Sequence, residues 1–234
     1  MLSNPTVEWY DSSHMELDRH SHNRLNRFSL RFFPRDTLFD RLGRAICRAD
    51  CLPRKELFET WEVVRRLRKK FRDRPVVELA AGHGLLSMLL VLLENGIPDA
   101  VCYDIRKPKA HDKLMAELVL EWPRLSGRVT YTEMSLEDVE PTPESVVVSV
   151  HACGELTDRV LDRALAARAA VAVLPCCHSF ENCDDAGLSG WMDGFLAIDA
   201  ARAARLHGAG YRVVTTTIPE DITPRNRLLM GWPA

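Results

Sequence analysis

The sequence predicts an α/β protein with a mostly parallel seven-stranded sheet, a terminal antiparallel strand and an N-terminal helical extension. Three observations lead there. From residue 75 onward, apolar runs of strand length alternate with segments of helical period, the pattern of βα units around a parallel sheet. The last two runs follow each other with no room for a helix between them, which makes one strand antiparallel. Residues 1–74 hold 17 basic and 11 acidic side chains, whereas residues 75–234 hold 14 and 22, so a basic segment (+6) precedes an acidic body (−8). Two units are therefore expected, a basic arm with helices over 1–74 and a body over 75–234.

Element by element, residues 1–36 read as an irregular polar arm with one short helix around Leu25 to Phe33. A helix follows from Arg35 to Ala49. Pro53 sits where a helix can start, and Leu57, Trp61, Val64 and Phe71 recur near helical spacing. Arg65, Arg66, Arg68, Lys69, Lys70 and Arg72 fall on its other faces and predict a basic outer surface, with Glu59 and Glu62 as intermixed acids. Strands are predicted over 75–81, 100–105, 129–134, 145–150, 169–174, 211–218 and 227–231. Helices fall between them at 84–95, 109–122, 155–168 and 193–207, several closed by Gly or Pro.

Composition bounds the function. With 46% hydrophobic and 27% charged residues in 234, the chain is an ordinary globular protein, neither fibrous nor disordered throughout. No apolar run approaches the roughly 20 residues of a membrane span. The first twenty residues, with Glu8, Asp11, Glu16 and Asp18, do not read as a secretory signal, so a cytoplasmic location is expected and no membrane partner. Seven cysteines without a secreted context read as reduced thiols.

The most specific local feature is Val76-Val77-Glu78-Leu79-Ala80-Ala81-Gly82-His83-Gly84-Leu85-Leu86, a strand running through a two-glycine turn into a helix. Glycines there allow a tight turn and a close ligand. Asp104, ending the next strand 20 residues past Gly84, can accept both hydroxyls of an adenosine ribose. A dinucleotide site would want a third glycine where Ser87 stands. The E-x-x-x-G-x-G arrangement instead resembles the first motif of class I S-adenosylmethionine (SAM) methyltransferases, which are Rossmann-like. That resemblance implies SAM as cofactor, held by Glu78, Ala80, Gly82, Gly84 and Asp104, with the loop Met134-Ser135-Leu136 flanking the adenine.

Two further clusters end neighbouring strands: His151-Ala152-Cys153-Gly154-Glu155-Leu156-Thr157-Asp158 and Pro175-Cys176-Cys177-His178. Together they resemble the HxCGxxTD and CCH signatures of the methyltransferase family that includes the tRNA acceptor-stem 2′-O-methyltransferase. The likeness extends over about residues 51–234, including Cys51 to Glu56 and Thr223 to Arg227, without the eukaryotic tRNA enzyme's N-terminal zinc-binding modules. It implies methyl transfer to RNA, with a tRNA ribose hydroxyl favoured; a small-molecule acceptor and a non-catalytic SAM-binding role are the alternatives. An imidazole at the ligand end of the sheet can take a proton from an attacking hydroxyl, so His178 is the first candidate base and His151 the second. Cys153, Cys176, Cys177, His178 and Cys183 are metal-ligating types. Adjacent cysteines on a strand point to opposite faces, so the expectation is thiols lining a pocket, with zinc as the alternative. The basic N-terminal region is the candidate RNA contact. Arg65 to Arg74 can follow a phosphate backbone, with a solvated helix face as the equal alternative. Arg24, Arg27, Arg31 and Arg35, interleaved with Phe28, Phe32 and Phe33, add positive charge or dock the arm over the pocket as a lid.

Overall fold

The computed structural model describes residues 17–234, so residues 1–16 of the expected arm lie outside the described residues. The short helix near Leu25 is a 3₁₀ turn over Arg27–Phe32, capped by Asn26. Helix α1 spans Leu38–Ala49 with Thr37 capping the amide of Asp40, and α2 spans Arg54–Leu67 directly after Pro53. The body then follows in order: β1 Val76–Leu79, α3 Leu85–Leu93, β2 Ala100–Asp104, α4 Lys109–Glu121, β3 Val129–Glu133, β4 Val146–Val150, α5 Leu156–Ala167, β5 Ala170–Leu174, α6 Gly194–Gly208, β6 Tyr211–Thr217 and β7 Arg227–Pro233. The β3–β4 connection and the long β5–α6 connection carry only single 3₁₀ turns.

Among the described residues, seven strands form one sheet in the order β3-β2-β1-β4-β5-β7-β6. β7 runs antiparallel to both its neighbours, inserted between β5 and β6. Chain order reverses beside β1, whose neighbours are β2 and β4, and a crevice opens there beyond the carboxyl ends of the strands.

Alternation along the central strands sorts the core into two layers. Val76, Val146, Val148, Ala170, Ala172 and Met230 face the layer built by α1 to α4. Leu79, Val147, Val171, Val173 and Leu229 face the layer that includes α5 and α6. The N-terminal helices thus share a core with the sheet: Phe39, Phe58 and Trp61 pack ring against ring, and Leu57 and Val64 of α2 are fully buried. Arg41 and Arg48 of α1 pair with Glu117 and Glu121 of α4.

The basic face expected of α2 is largely engaged with the body. Arg65 and Arg66 pair with Glu62, Arg66 donates to the Thr217 carbonyl, and Arg68 donates to that of Leu93. Arg72 pairs with Glu94, and Arg74 reaches the carbonyls of Pro143 and Glu144. Glu59 and Glu62, expected on a solvated face, are buried. Among the described residues, no helix is long and apolar enough to cross a membrane.

Candidate functional site

At the end of β1 the chain turns through three left-handed residues, Ala80 (φ 50°), Gly82 (φ 52°) and Gly84 (φ 73°). A non-glycine in that region is strained, and such strain gathers at functional sites. The two glycines do different work. A Cβ on Gly82 would meet nothing within 4 Å, so its open face leaves room for a ligand. A Cβ on Gly84 would lie 2.9 Å from Cys102 Sγ and 3.0 Å from His111 Nδ1, so Gly84 lets the start of α3 close against β2 and α4.

Asp104 ends β2 and reaches back across the turn, its Oδ2 accepting from the Gly82 amide at 2.9 Å. Tyr131 on β3 donates its hydroxyl to the Gly82 carbonyl at 2.9 Å. Beneath the turn, Glu78 accepts from the Ser87 amide at 2.9 Å and from the Cys102 thiol. Burial pushes its carboxyl up, offset in part by those hydrogen bonds. The Met134-Ser135-Leu136 loop adjoins Asp104, with the Met134 amide donating to the Asp104 carbonyl at 2.9 Å.

A cavity of about 350 Å³ is lined by Glu78, Ala80, Gly82, Asp104, His83 and His151 and closed by Glu56 and Thr60 of α2, whereas Gly84 and the Met134-Ser135-Leu136 loop do not line it. Glu56 Oε2 lies 2.6 Å from His83 Nε2. The Leu85 amide donates to His83 Nδ1, so in the neutral ring the proton sits on Nε2 and is donated to Glu56. Burial alone would raise the Glu56 carboxyl, but the hydrogen bond from His83, with the nearby charges of His83, His151 and Lys55, holds the group below the usual carboxylate range. Behind them Glu59, 1% exposed, contacts Lys55 and His151 Nε2, each at 3.2 Å. Its carboxyl is likewise held low against the pull of burial.

Sequence reasoning missed this wall. Its signal was a polar stripe, Glu56, Glu59 and Thr60, at i, i+3 and i+4 on a helix whose apolar stripe is Leu57, Trp61 and Val64.

The two histidines part ways. His151, at the end of β4, has φ 70° and lines the cavity. His178 does not line it; its side chain is fully buried, with Nε2 2.8 Å from Asp199 Oδ1 and the ring beside Phe195. Asp199 also bonds Arg227 at 2.7 Å and Arg202 at 3.3 Å. Arg202, buried, continues to Asp158 and the Gly154 carbonyl, tying α6 to the β4–α5 turn. An apolar cavity of about 430 Å³ between α6 and the β6–β7 hairpin shares Asp199 and Arg227 but none of the expected cofactor residues.

The cysteines also depart from expectation. Cys176 and Cys177 lie in the loop beyond β5, where strand alternation does not apply, and their sulfurs converge to 3.7 Å. Cys153 Sγ lies 3.4 Å from Cys176 Sγ. Cys183 instead accepts from Arg202.

Comparison with known proteins places this architecture. No curated protein sequence matches the chain. Among solved structures, an O-methyltransferase family protein from Burkholderia thailandensis is 17% identical with a TM-score of 0.53, covering 92% of this chain and 65% of that one. The pyocyanin biosynthetic protein PhzM is also 17% identical, with a TM-score of 0.52 over 89% of this chain and 62% of that one. The B. subtilis M1A22 tRNA methyltransferase TrmK is 11% identical, with a TM-score of 0.50 over 74% of this chain and 65% of that one. The chain spans under two thirds of the length of each, and at these identities the likeness is one of fold. The family match is more direct: residues 54–180, from α2 to the loop after β5 and more than half the chain, fit the model of the methyltransferase domain, and the chain belongs to that family.

Proposed function

We propose that the protein is a SAM-dependent methyltransferase whose cofactor occupies the cavity at the end of β1. One observation carries the reading: Glu56, Glu78 and Asp104 line a single cavity at the switch point of the sheet, with Gly82 presenting an open backbone face. That donor set fits SAM. Asp104 can accept the ribose hydroxyls, and an ammonium or sulfonium would offset the burial of Glu78. Ala80 and Gly82 would shape the methionine side, and Met134, Ser135 and Leu136 the adenine side.

SAM when bound supplies an electrophilic methyl group, so this chain's residues need mainly to hold an acceptor in line. His151 stands where an acceptor would meet that cavity and is oriented by the buried Glu59. His178, pinned by Asp199, fits a positioning role for the Pro175 to Ser179 loop.

For the acceptor we favour RNA, with a tRNA ribose 2′-hydroxyl first. Supporting this, Arg27 lies over Phe28 and both Arg31 and Arg54 over Phe32, and Phe28 is 69% exposed. Arginine with exposed aromatic rings suits stacking on bases beside phosphates. The patch adjoins the start of α2 through the Arg24–Pro53 bridge, and Glu56 lies on that same turn. A small-molecule acceptor is the second reading, favoured by how many arginines from residue 65 to 74 are bound internally. Incubation with labelled SAM and total RNA, then nuclease digestion and nucleoside analysis, tests the choice. Label in a 2′-O-methylnucleoside supports it; calorimetry showing no SAM binding would reject the whole reading.

A further inference from the structure

We propose that Cys153, Cys176 and Cys177 form a thiolate site for a soft divalent ion of the Zn²⁺ class, with the fourth coordination position open to water. The three sulfurs all lie within 4.8 Å of one another, with adjacent pairs at 3.4 and 3.7 Å. Tetrahedral zinc with Zn–S bonds of about 2.3 Å sets sulfurs about 3.8 Å apart, a spacing that both adjacent pairs match to within a few tenths of an ångström.

The frame is already built. The Gly154 amide donates to the Cys177 carbonyl at 3.1 Å and the His151 amide to that of Leu174, clamping the β4 turn to the β5 loop. Arg202 fixes the same turn from below through the Gly154 carbonyl and Asp158. Cys153 and Cys177 are exposed while Cys176 is half-buried, so one side of the cluster faces solvent. A site with three protein ligands and one open position has the pattern of zinc that handles a substrate or water, not of closed structural zinc.

Three neutral thiols in contact gain little from one another. On binding, each thiol gives its proton to solvent and its sulfur lone pair to the ion, with no redox change. The cluster sits just before the amino end of α5, whose dipole favours the net negative charge of three thiolates around one divalent ion. Thiolate ligands select Zn²⁺ over Mg²⁺ and Ca²⁺, which require oxygen. None of the three cysteines lines the SAM cavity, and the test needs no turnover.

The experiment is metal titration of the reduced full-length chain, stripped of metal under anaerobic conditions. Co²⁺ is followed by sulfur-to-metal charge-transfer absorption and then displaced by Zn²⁺. One ion per chain is expected, unaffected by excess Mg²⁺, with three fewer thiols open to a thiol reagent. Cys153→Ser and Cys177→Ser should each weaken Zn²⁺ binding at least about tenfold, whereas Cys183→Ser should leave it unchanged. The wild-type titration stands even if a variant fails to fold. Absence of charge-transfer bands, or binding that survives both serine variants, would each overturn the site.

Discussion

Gly82 and Gly84 are two residues apart in one turn, yet they should fail differently. Gly84→Ala adds a Cβ against Cys102 and His111 on top of an unfavourable φ, so unfolding free energy in urea should fall by about 2–4 kcal/mol. Gly82→Ala carries only the backbone cost, about 1–2 kcal/mol, but its methyl would enter the cavity and should cost SAM affinity more than stability. Asp104→Ala removes the ribose acceptor and the Gly82 partner; calorimetry should show SAM binding weaker by about 1–3 kcal/mol. His151→Ala should leave SAM affinity near the wild-type value and lower turnover roughly 100-fold by loosening the acceptor. Equal turnover in that variant would remove His151 from the site. The sequence marked all four positions because glycine, a strand-end carboxylate and a histidine after a strand are legible locally. It put His178 ahead of His151, with no local sign that Asp199, 21 residues away in sequence, pairs with the His178 ring away from the cavity that His151 lines.

Helix α2 serves two surfaces at once. Its apolar stripe packs the N-terminal core, and Leu57→Ala should destabilise the protein by about 2–5 kcal/mol in urea unfolding. Its polar stripe lines the cavity, and there sequence reading failed for a physical reason. A carboxylate at helical spacing among arginines looks solvated until the sheet's own histidines are known to sit opposite it. Strand limits, in contrast, were readable to within a residue or two, because buried valine runs are bounded by glycine, proline and charge. The α1–α4 contact adds a pH test. Glu121 is held below its usual range first by its hydrogen bond from Arg41, with Arg48 adding to it. Its contribution is therefore present above the unfolded carboxylate value of about 4.3 and is lost as pH falls through the lower folded value. The stability difference between wild type and Glu121→Gln should shrink steadily below about pH 4; a difference that grows on acidification would contradict the pairing.

At the scale of the whole chain, the acceptor question becomes one of charge. If RNA binds the Arg27–Phe28 patch, its affinity should fall linearly on a log–log plot against salt, and Arg27→Ala with Phe28→Ala should weaken it without altering SAM binding. Turnover indifferent to salt and to that pair would favour a small acceptor. The expected division at residue 75 follows a real change in charge, but the apolar core does not stop there: Leu57, Val64, Leu85 and Val148 belong to one cluster. Composition along a chain records charge and texture; it does not record which layers meet. The cavity has walls from α2 on one side and from β1, β2 and β4 on the other. A molecule filling it is therefore a bridge between the first and later parts of the chain, and its binding energy adds to what holds α2 down. At one hundred times its dissociation constant that linkage amounts to about 2.7 kcal/mol. Cofactor level would then set the lifetime of this protein as well as its rate, with cleavage by added protease in the 68–75 connection slowing as SAM rises.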